Sequence, residues 1–327
     1  MNFIESPSTD PYFNLAMEEY VFEKMDKNKQ YFILWQNDNT IVIGKHQNTA
    51  EEVNQAFVDA HNIHVARRLS GGGAVYHDKG NLNFTFIVDQ NQAPDFNFKV
   101  FVIPVINALK KIGIQAEFSG RNDLTIEGMK FSGNSQYAKK GRLLHHGCIM
   151  LDSNLTNVAD ALRVKPAKYE SRGIKSVHSR VTCINANTTT PITMDNFKNL
   201  LKSEVFAANI MHSLLFTEKQ LYEIQELRNK KYITWEWNYG TSPSYNMKKE
   251  KKFSAGLVSV YIQSEKARIK TIRFFGDFFG NEDLSELEEA MQELPLDQHL
   301  FETLSLLDIG KYMNGITAKD INELILY

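Results

Sequence analysis

The chain is poor in the features that mark whole classes of protein. It has two cysteines in 327 residues, Cys148 and Cys183. That excludes a disulfide-built scaffold and suits a reducing compartment, although a single pairing stays open. No apolar run approaches the roughly 20 residues that span a bilayer, and the N-terminal MNFIESPSTDPYF is too polar for a secretory signal. A cytoplasmic location follows as an expectation. The net charge is −2, so no global basic field points to nucleic acid. No Walker A spacing, no dinucleotide fingerprint and no internal repeat is present. No Ser/His/Asp set stands out, and no carboxylate or thiolate flanks His145-His146 at metal-ligand spacing.

What is present is an ordinary globular composition, with 43% hydrophobic and 23% charged residues. The length suits about two domains. Asp10-Pro11 reads as the N-cap and first residue of a helix whose buried stripe includes Leu15, Tyr20, Val21 and Phe22. Tyr31–Trp35 and Thr40–Gly44 read as a β-hairpin around Asn37-Asp38-Asn39. Asn48-Thr49 opens a helix reaching His61, and Phe96–Ile112 is a helix closed by Gly113. Strands are expected at His64–Arg68, AVYH, LNFTFIV, IQAEF, DLTI, MKFSG and RLLHHGCIML. Helical patterns return at Asn196–Ile210 and Thr217–Lys230, the second with a Thr217/Gln220 capping box. Residues 240–252 combine turn formers with the charged run Lys248–Lys252 and read as a linker. Two more strands and three helical segments follow, so the boundary falls at 246, with domains 1–246 and 247–327.

Three stretches carry chemistry. Arg67-Arg68-Leu69-Ser70-Gly71-Gly72-Gly73 places glycines between strands, where backbone can approach a ligand beside a planar cation. The triple glycine alone reads equally well as a flexible loop. Asn122-Asp123 precedes Lys130, which sits between Met129 and Phe131 and is followed by Ser132-Gly133. A solvent-facing lysine is the plain reading; the small residues after it point instead to a ligand. His145 and His146 lie on opposite faces of a strand and cannot chelate together. Cys148 reads as an inert buried thiol or as a nucleophile.

RRLSGGGAVYHDKGNLNFTF, GRNDL, KFSGNSQY, LLHHGCIML and RGIKSVHSRVT, in this order, resemble the lipoate–protein ligase A family. NLAMEEY, IGKHQN and WEWNYG extend the likeness over nearly the whole chain. The resemblance implies an α+β fold. Its parts are a biotin/lipoate-ligase-type catalytic domain of two β-sheets flanked by helices and a small α/β C-terminal domain. It implies ATP-dependent activation of lipoate to lipoyl-AMP, with Mg²⁺, and transfer to a lysine on a lipoyl domain. The acceptor would be a dehydrogenase E2 subunit or the glycine-cleavage H protein, with neither nucleic acid nor membrane involved. Lys130 matches the catalytic lysine that contacts lipoate and adenylate; Arg68, Gly73, Ala74, Val75 and Tyr76 match ATP-binding positions. Gly71, Gly72 and His77 fall in the lipoate pocket, Asn122 and Asp123 support it, and the metal ligands stay unassigned. The segment from Lys165 to Thr182 resembles a loop closing over the adenylate. Cys183 stands where the family usually has asparagine. A cysteine-thioester octanoyl or lipoyl transferase that needs no ATP is the alternative.

Overall fold

The structure is a computed structural model that describes residues 1–92, 97–156, 161–162, 181–208, 210–240, 245–297 and 299–326. The strands are β1 (Asn2–Glu5), β2 (Tyr31–Trp35), β3 (Thr40–Ile43), β4 (His64–Arg67), β5 (Val75–His77), β6 (Asn81–Asp89), β7 (Glu117–Ser119), β8 (Asp123–Ile126), β9 (Met129–Lys139), β10 (Arg142–Met150), β11 (His212–Ser213), β12 (Met247–Phe253), β13 (Gly256–Glu265) and β14 (Arg268–Gly276). An eight-stranded sheet runs β11-β1-β2-β6-β10-β9-β8-β7, and two three-stranded sheets run β4-β3-β5 and β12-β13-β14. With helices packed on these sheets, the α+β expectation holds.

The large sheet is covered on both faces, which is why β2 is apolar at every position. Phe32 and Leu34 face one core with Phe84, Phe86 and the helix Lys99–Lys111. Tyr31, Ile33 and Trp35 face the other, beneath the helices Pro11–Lys24 and Glu218–Leu227. Alternation along a strand makes this division. The first helix begins as its residues dictate: the Asp10 carboxylate accepts from the Tyr12 N–H at 2.9 Å, with Pro11 in the first turn. Thr217 and Gln220 complete the capping box. Gly113, at φ +80°, follows the helix Lys99–Lys111. No described helix is long and apolar enough to cross a membrane.

Three local expectations are overturned. β2 and β3 do not form a hairpin: β2 pairs with β1 and β6, whereas β3 pairs with β4 and β5 in another sheet. The chain leaves the first sheet at Asn37, whose buried side chain bonds Asn14 and His77 instead of closing a tight turn. The helix read over 49–61 is two short helices, Thr49–Glu52 and Gln55–Ala60; between them Val53 bridges to Leu162. Most of the 240–252 linker is strand: Met247–Phe253 pairs along its length with β13. Its lysines are those of an edge strand, where charge discourages pairing with other chains.

β12–β14 carry their own core with the helices Leu284–Ala290 and Ala318–Leu326. This unit abuts the rest at several points. Gly276 N–H donates to the His46 carbonyl at 2.7 Å. The His46 ring stacks on Phe278 at 5.0 Å, and Lys45 approaches Asp283 at 3.9 Å.

Candidate active site

A cavity of about 470 Å³ opens where the two smaller sheets meet the large one. One wall is β8–β9. Lys130 pairs with Thr125 next to an irregularity in the β8–β9 register, and its ammonium lies 2.7 Å from the Asp123 carboxylate. A third of the Lys130 side chain is exposed, and that part faces the cavity. Gly133 makes room for it: a Cβ there would sit 2.9 Å from Nζ. This is the physical content of the small residues after Lys130. Burial pulls the Lys130 pKa down, but the Asp123 charge and hydrogen bond outweigh it and hold it above the ordinary lysine range.

The opposite wall is the glycine loop. Gly73, Ala74, Val75 and His77 line the cavity, as does Arg68. Arg68 is nonetheless largely committed inside the protein. It donates to Ser70 Oγ at 3.1 Å and to the carbonyls of Val42, Gly71 and Gly73 at 3.1, 2.7 and 2.9 Å. Four of its five N–H donors are therefore used inside the protein, three on the loop and one on β3. Arg67 is off the cavity wall, donating to the carbonyls of Gly44, Lys45, Gln47, Trp237 and Asn238. It staples WEWNYG onto β4.

Gly71, Gly72 and Tyr76, read as ligand-facing, are off the cavity wall. Strand alternation turns Tyr76 into the core of the small sheet, where its phenol donates to Asn39 at 3.0 Å. Gly72, at φ +91°, donates its N–H to the Phe278 carbonyl at 3.4 Å, and a Cβ on Gly71 would collide with that same carbonyl. These two glycines admit the C-terminal unit.

Asn122 and Asp123 line the cavity. Asn122 and Asn134 cross-bond, each amide donating to the other's carbonyl, at 2.6 and 3.1 Å. Three polar atoms of the lining have no partner among the described residues: Asn83 Nδ2, His77 Nε2 and Asn134 Oδ1. Buried polar groups are rarely left so, and their convergence here suits a polar ligand. His77 is neutral: burial, then Arg68 and His146, push its pKa to about 3.

Several residues at or behind the wall went unmarked in the sequence reading. Glu18, buried on the first helix, accepts from His146 Nδ1 at 2.9 Å. Its signal was available, because Glu18 lies one turn from Leu15 and Phe22 and so inside the apolar stripe. Phe253 and Asp277 reach the cavity from the C-terminal unit, for which sequence carried no signal. Arg121 is fastened there too, donating to the carbonyls of Ala255 and Asp277, with its guanidinium 4.6 Å from the Phe279 ring centre.

The histidine pair divides as strand geometry requires. His146 faces the cavity; His145 lies in the other core, stacked on Phe101 at 4.6 Å and held neutral by burial. Neither thiol is activated. Burial raises the Cys148 pKa, and Cys183, which donates to the Ser153 carbonyl at 3.4 Å, is pushed to about 11. The Lys165–Thr182 loop, except for Val181 and Thr182, lies outside the described residues. Thr182 N–H donates to the Lys130 carbonyl at 2.9 Å, so Thr182 lies directly beside the lysine.

A glycine loop facing a lysine–carboxylate pair, with orphaned polar groups between them, gives this α+β protein a cavity suited to a polar, anionic ligand. Residues 10–206 match the model of the lipoyl protein ligase A/B catalytic domain, and 242–325 that of the bacterial lipoate protein ligase C-terminus. The chain therefore belongs to the lipoate–protein ligase A/B family. It is similar to lipoate–protein ligase 1 of Staphylococcus aureus, at 43% identity over 99% of this chain and all of the relative. Among solved structures it resembles a bipartite lipoate protein ligase described with its E2 lipoyl domain from Thermoplasma acidophilum. That match has 27% identity and TM-score 0.64, covering 75% of this chain and 98% of the other. It also resembles a lipoate-protein ligase A bound with ATP, at 26% identity and TM-score 0.61, over 73% of this chain and 98% of the other.

Proposed function

We propose that this chain is an ATP-dependent lipoate–protein ligase that works in the cytoplasm. It activates lipoate as lipoyl-AMP and then acylates a lysine on a lipoyl domain, of an E2 subunit or an H protein. The observation that carries the reading is Lys130, an ammonium kept charged by Asp123 and laid over Gly133 into the cavity. The family membership and the ATP-bound structural neighbour support it.

In the first step the lipoate carboxylate attacks the α-phosphate and pyrophosphate leaves. Two anions must meet, so the protein's task is alignment and charge neutralisation. Lys130 is the group assigned to bridge carboxylate and α-phosphate, and Asp123 fixes its direction. Gly73, Ala74 and Val75 offer backbone to the nucleotide, and Arg68 keeps that loop in one shape. His77 Nε2 and the Asn83 and Asn134 amides wait for polar groups. In the second step the acceptor amine attacks the mixed anhydride and AMP leaves. Neither step needs an enzyme thiol.

Among the described residues no three His, Cys, Asp or Glu side chains gather to hold a metal. Mg²⁺ arriving with nucleotide phosphates needs only one or two protein carboxylates, and Asp123 fits that part. Bound there, the ion would neutralise phosphate charge.

The test is lipoate-dependent release of pyrophosphate from ATP by the purified chain, followed by mass analysis of an E2 lipoyl domain. Lipoylation that proceeds without ATP from an acyl-carrier thioester, with no pyrophosphate released, would overturn the reading in favour of the transferase.

A further inference from the structure

One buried polar chain is not used by the two steps above. Trp35 Nε1 donates to Thr85 Oγ1 at 2.9 Å, and Thr85 Oγ1 donates to Glu18 Oε1 at 2.7 Å. His146 Nδ1 meets Glu18 Oε1 at 2.9 Å, His146 Nε2 meets Ser70 Oγ at 2.6 Å, and Ser70 Oγ accepts from Arg68 Nε at 3.1 Å. Glu18 and Ser70 are each 1% exposed and His146 is 7% exposed. Five elements contribute: β2, β6, the first helix, β10 and the loop after β4.

With Glu18 as a carboxylate and His146 as a neutral ring, the hydrogens in this chain have one consistent direction. A carboxylate only accepts, so His146 Nδ1 carries the proton toward Glu18. The neutral ring's Nε2 is then an acceptor, and the Ser70 hydroxyl donates to it. That leaves the Ser70 lone pairs for the Arg68 Nε–H. The tautomer of one histidine therefore sets the hydroxyl, and the hydroxyl sets the plane of the guanidinium. From there Arg68 holds the Gly71 and Gly73 carbonyls. The sheet register reinforces the arrangement. Thr85, His146 and Ser135 are cross-strand neighbours on β6, β10 and β9, and Ser135 Oγ also donates to the Gly71 carbonyl, at 2.8 Å. A serine–histidine–carboxylate geometry resembles a nucleophilic triad. Ser70, however, is buried and off the cavity wall, so its hydroxyl serves the loop and does not attack a substrate.

We propose that Glu18, His146 and Ser70 are positioning residues: a relay that locks Arg68 and through it holds the glycine loop in the shape that receives the nucleotide. This rests on the cavity being the ATP site of a ligase, as proposed above. The relay predicts an effect confined to one substrate. Ser70→Ala deletes a single buried oxygen and should raise KM for ATP about tenfold, while KM for lipoate moves less than about twofold. Glu18→Gln keeps an amide oxygen for both Thr85 and His146 and should stay within about threefold of the parent in KM for ATP. Adding Ser70→Ala to Glu18→Gln should do no more than Ser70→Ala alone, because both act on one unit.

The measurements are steady-state pyrophosphate release against each substrate, with thermal melts for folding, and the ¹⁵N shifts of the His146 ring in the parent protein. The ring shifts need no variant and should show Nδ1 protonated. An Nε2-protonated ring overturns the relay. So does a folded Ser70→Ala with unchanged KM for ATP, or one in which both KM values rise together. A parent that releases no pyrophosphate from ATP speaks against the ligase reading and not against the relay, whose tautomer is read separately.

Discussion

Two walls of one cavity use their cations in opposite ways. On β9, Lys130 has one carboxylate partner and a third of its side chain open to the cavity. Across from it Arg68 is 6% exposed and spends three donors on its own loop and a fourth on Val42 of β3. A compact ammonium suits a place where charge must meet reacting atoms, whereas a planar fork suits a place where several carbonyls must be held at once. Both stand beside glycines, for different reasons. Gly133 clears space for the lysine itself, while Gly71 and Gly72 admit Phe278 and Phe279 of the C-terminal unit. Proximity of a basic residue to glycine thus marks a site without saying which group does the chemistry.

The largest effect should come from the lysine wall. Lys130→Ala should slow lipoyl-AMP formation by at least ~10²-fold, the scale for one pre-organised donor, and Lys130→Arg should also be poor. Transfer from synthetic lipoyl-AMP should suffer less. Pyrophosphate release near the parent rate would pass the central role to Arg68 and dissolve the contrast between the walls. Next comes the arginine wall itself. Arg68→Lys retains the charge but cannot hold two glycine carbonyls and Val42 together, so it should weaken ATP use by about tenfold. Full activity in that variant, measured as kcat/KM for ATP, would mean that charge and not shape is what the loop requires.

The third prediction concerns acid. His46 and His77 are held neutral by burial, with pKa values pushed to about 3, and His145 well below its usual value. Unfolding frees them to titrate near 6.5, so below that pH the unfolded chain binds more protons and stability falls with pH. Each such histidine contributes about 1.4 kcal/mol per pH unit between 6.5 and its folded value. Thermal melts from pH 7 to 5 should drop steadily, less so in His46→Gln. A flat profile would show that these rings are charged in the fold. The smallest effect belongs to the thiols. Cys148→Ala and Cys183→Ala should each cost less than about tenfold in turnover, or about 1.4 kcal/mol of barrier. Loss of all lipoylation in either folded variant, with an acyl-thioester trapped in the parent, would restore the transferase.

Much of this was legible beforehand because it is local. Asp10-Pro11 and Thr217/Gln220 announce helix starts, since caps are satisfied within a few residues. YFILW announces a strand, though not its neighbours, because pairing is chosen by distant chain; hence the false hairpin with β3. Lys130 was legible through Ser132-Gly133, since room for a side chain on a strand is also a local matter. The opposed faces of His145 and His146 followed from the two-residue period of a strand.

By itself, then, the sequence determined the composition class, most helix and strand positions, the family and the presence of a lysine on the cavity wall. Tertiary structure alone decided which groups remain available to a ligand. Arg68 and Lys130 look alike as charges, but a guanidinium buried among carbonyls satisfies them, and only their arrival from Val42, Gly71 and Gly73 makes that happen. Glu18, His146 and Ser70 lie 128 and 76 residues apart along the chain and meet only across a folded sheet. The closing wall of the cavity comes from a unit more than a hundred residues downstream of Lys130. Hydrogen bonds act over about 3 Å, so their partners are a property of the fold and not of the neighbouring letters.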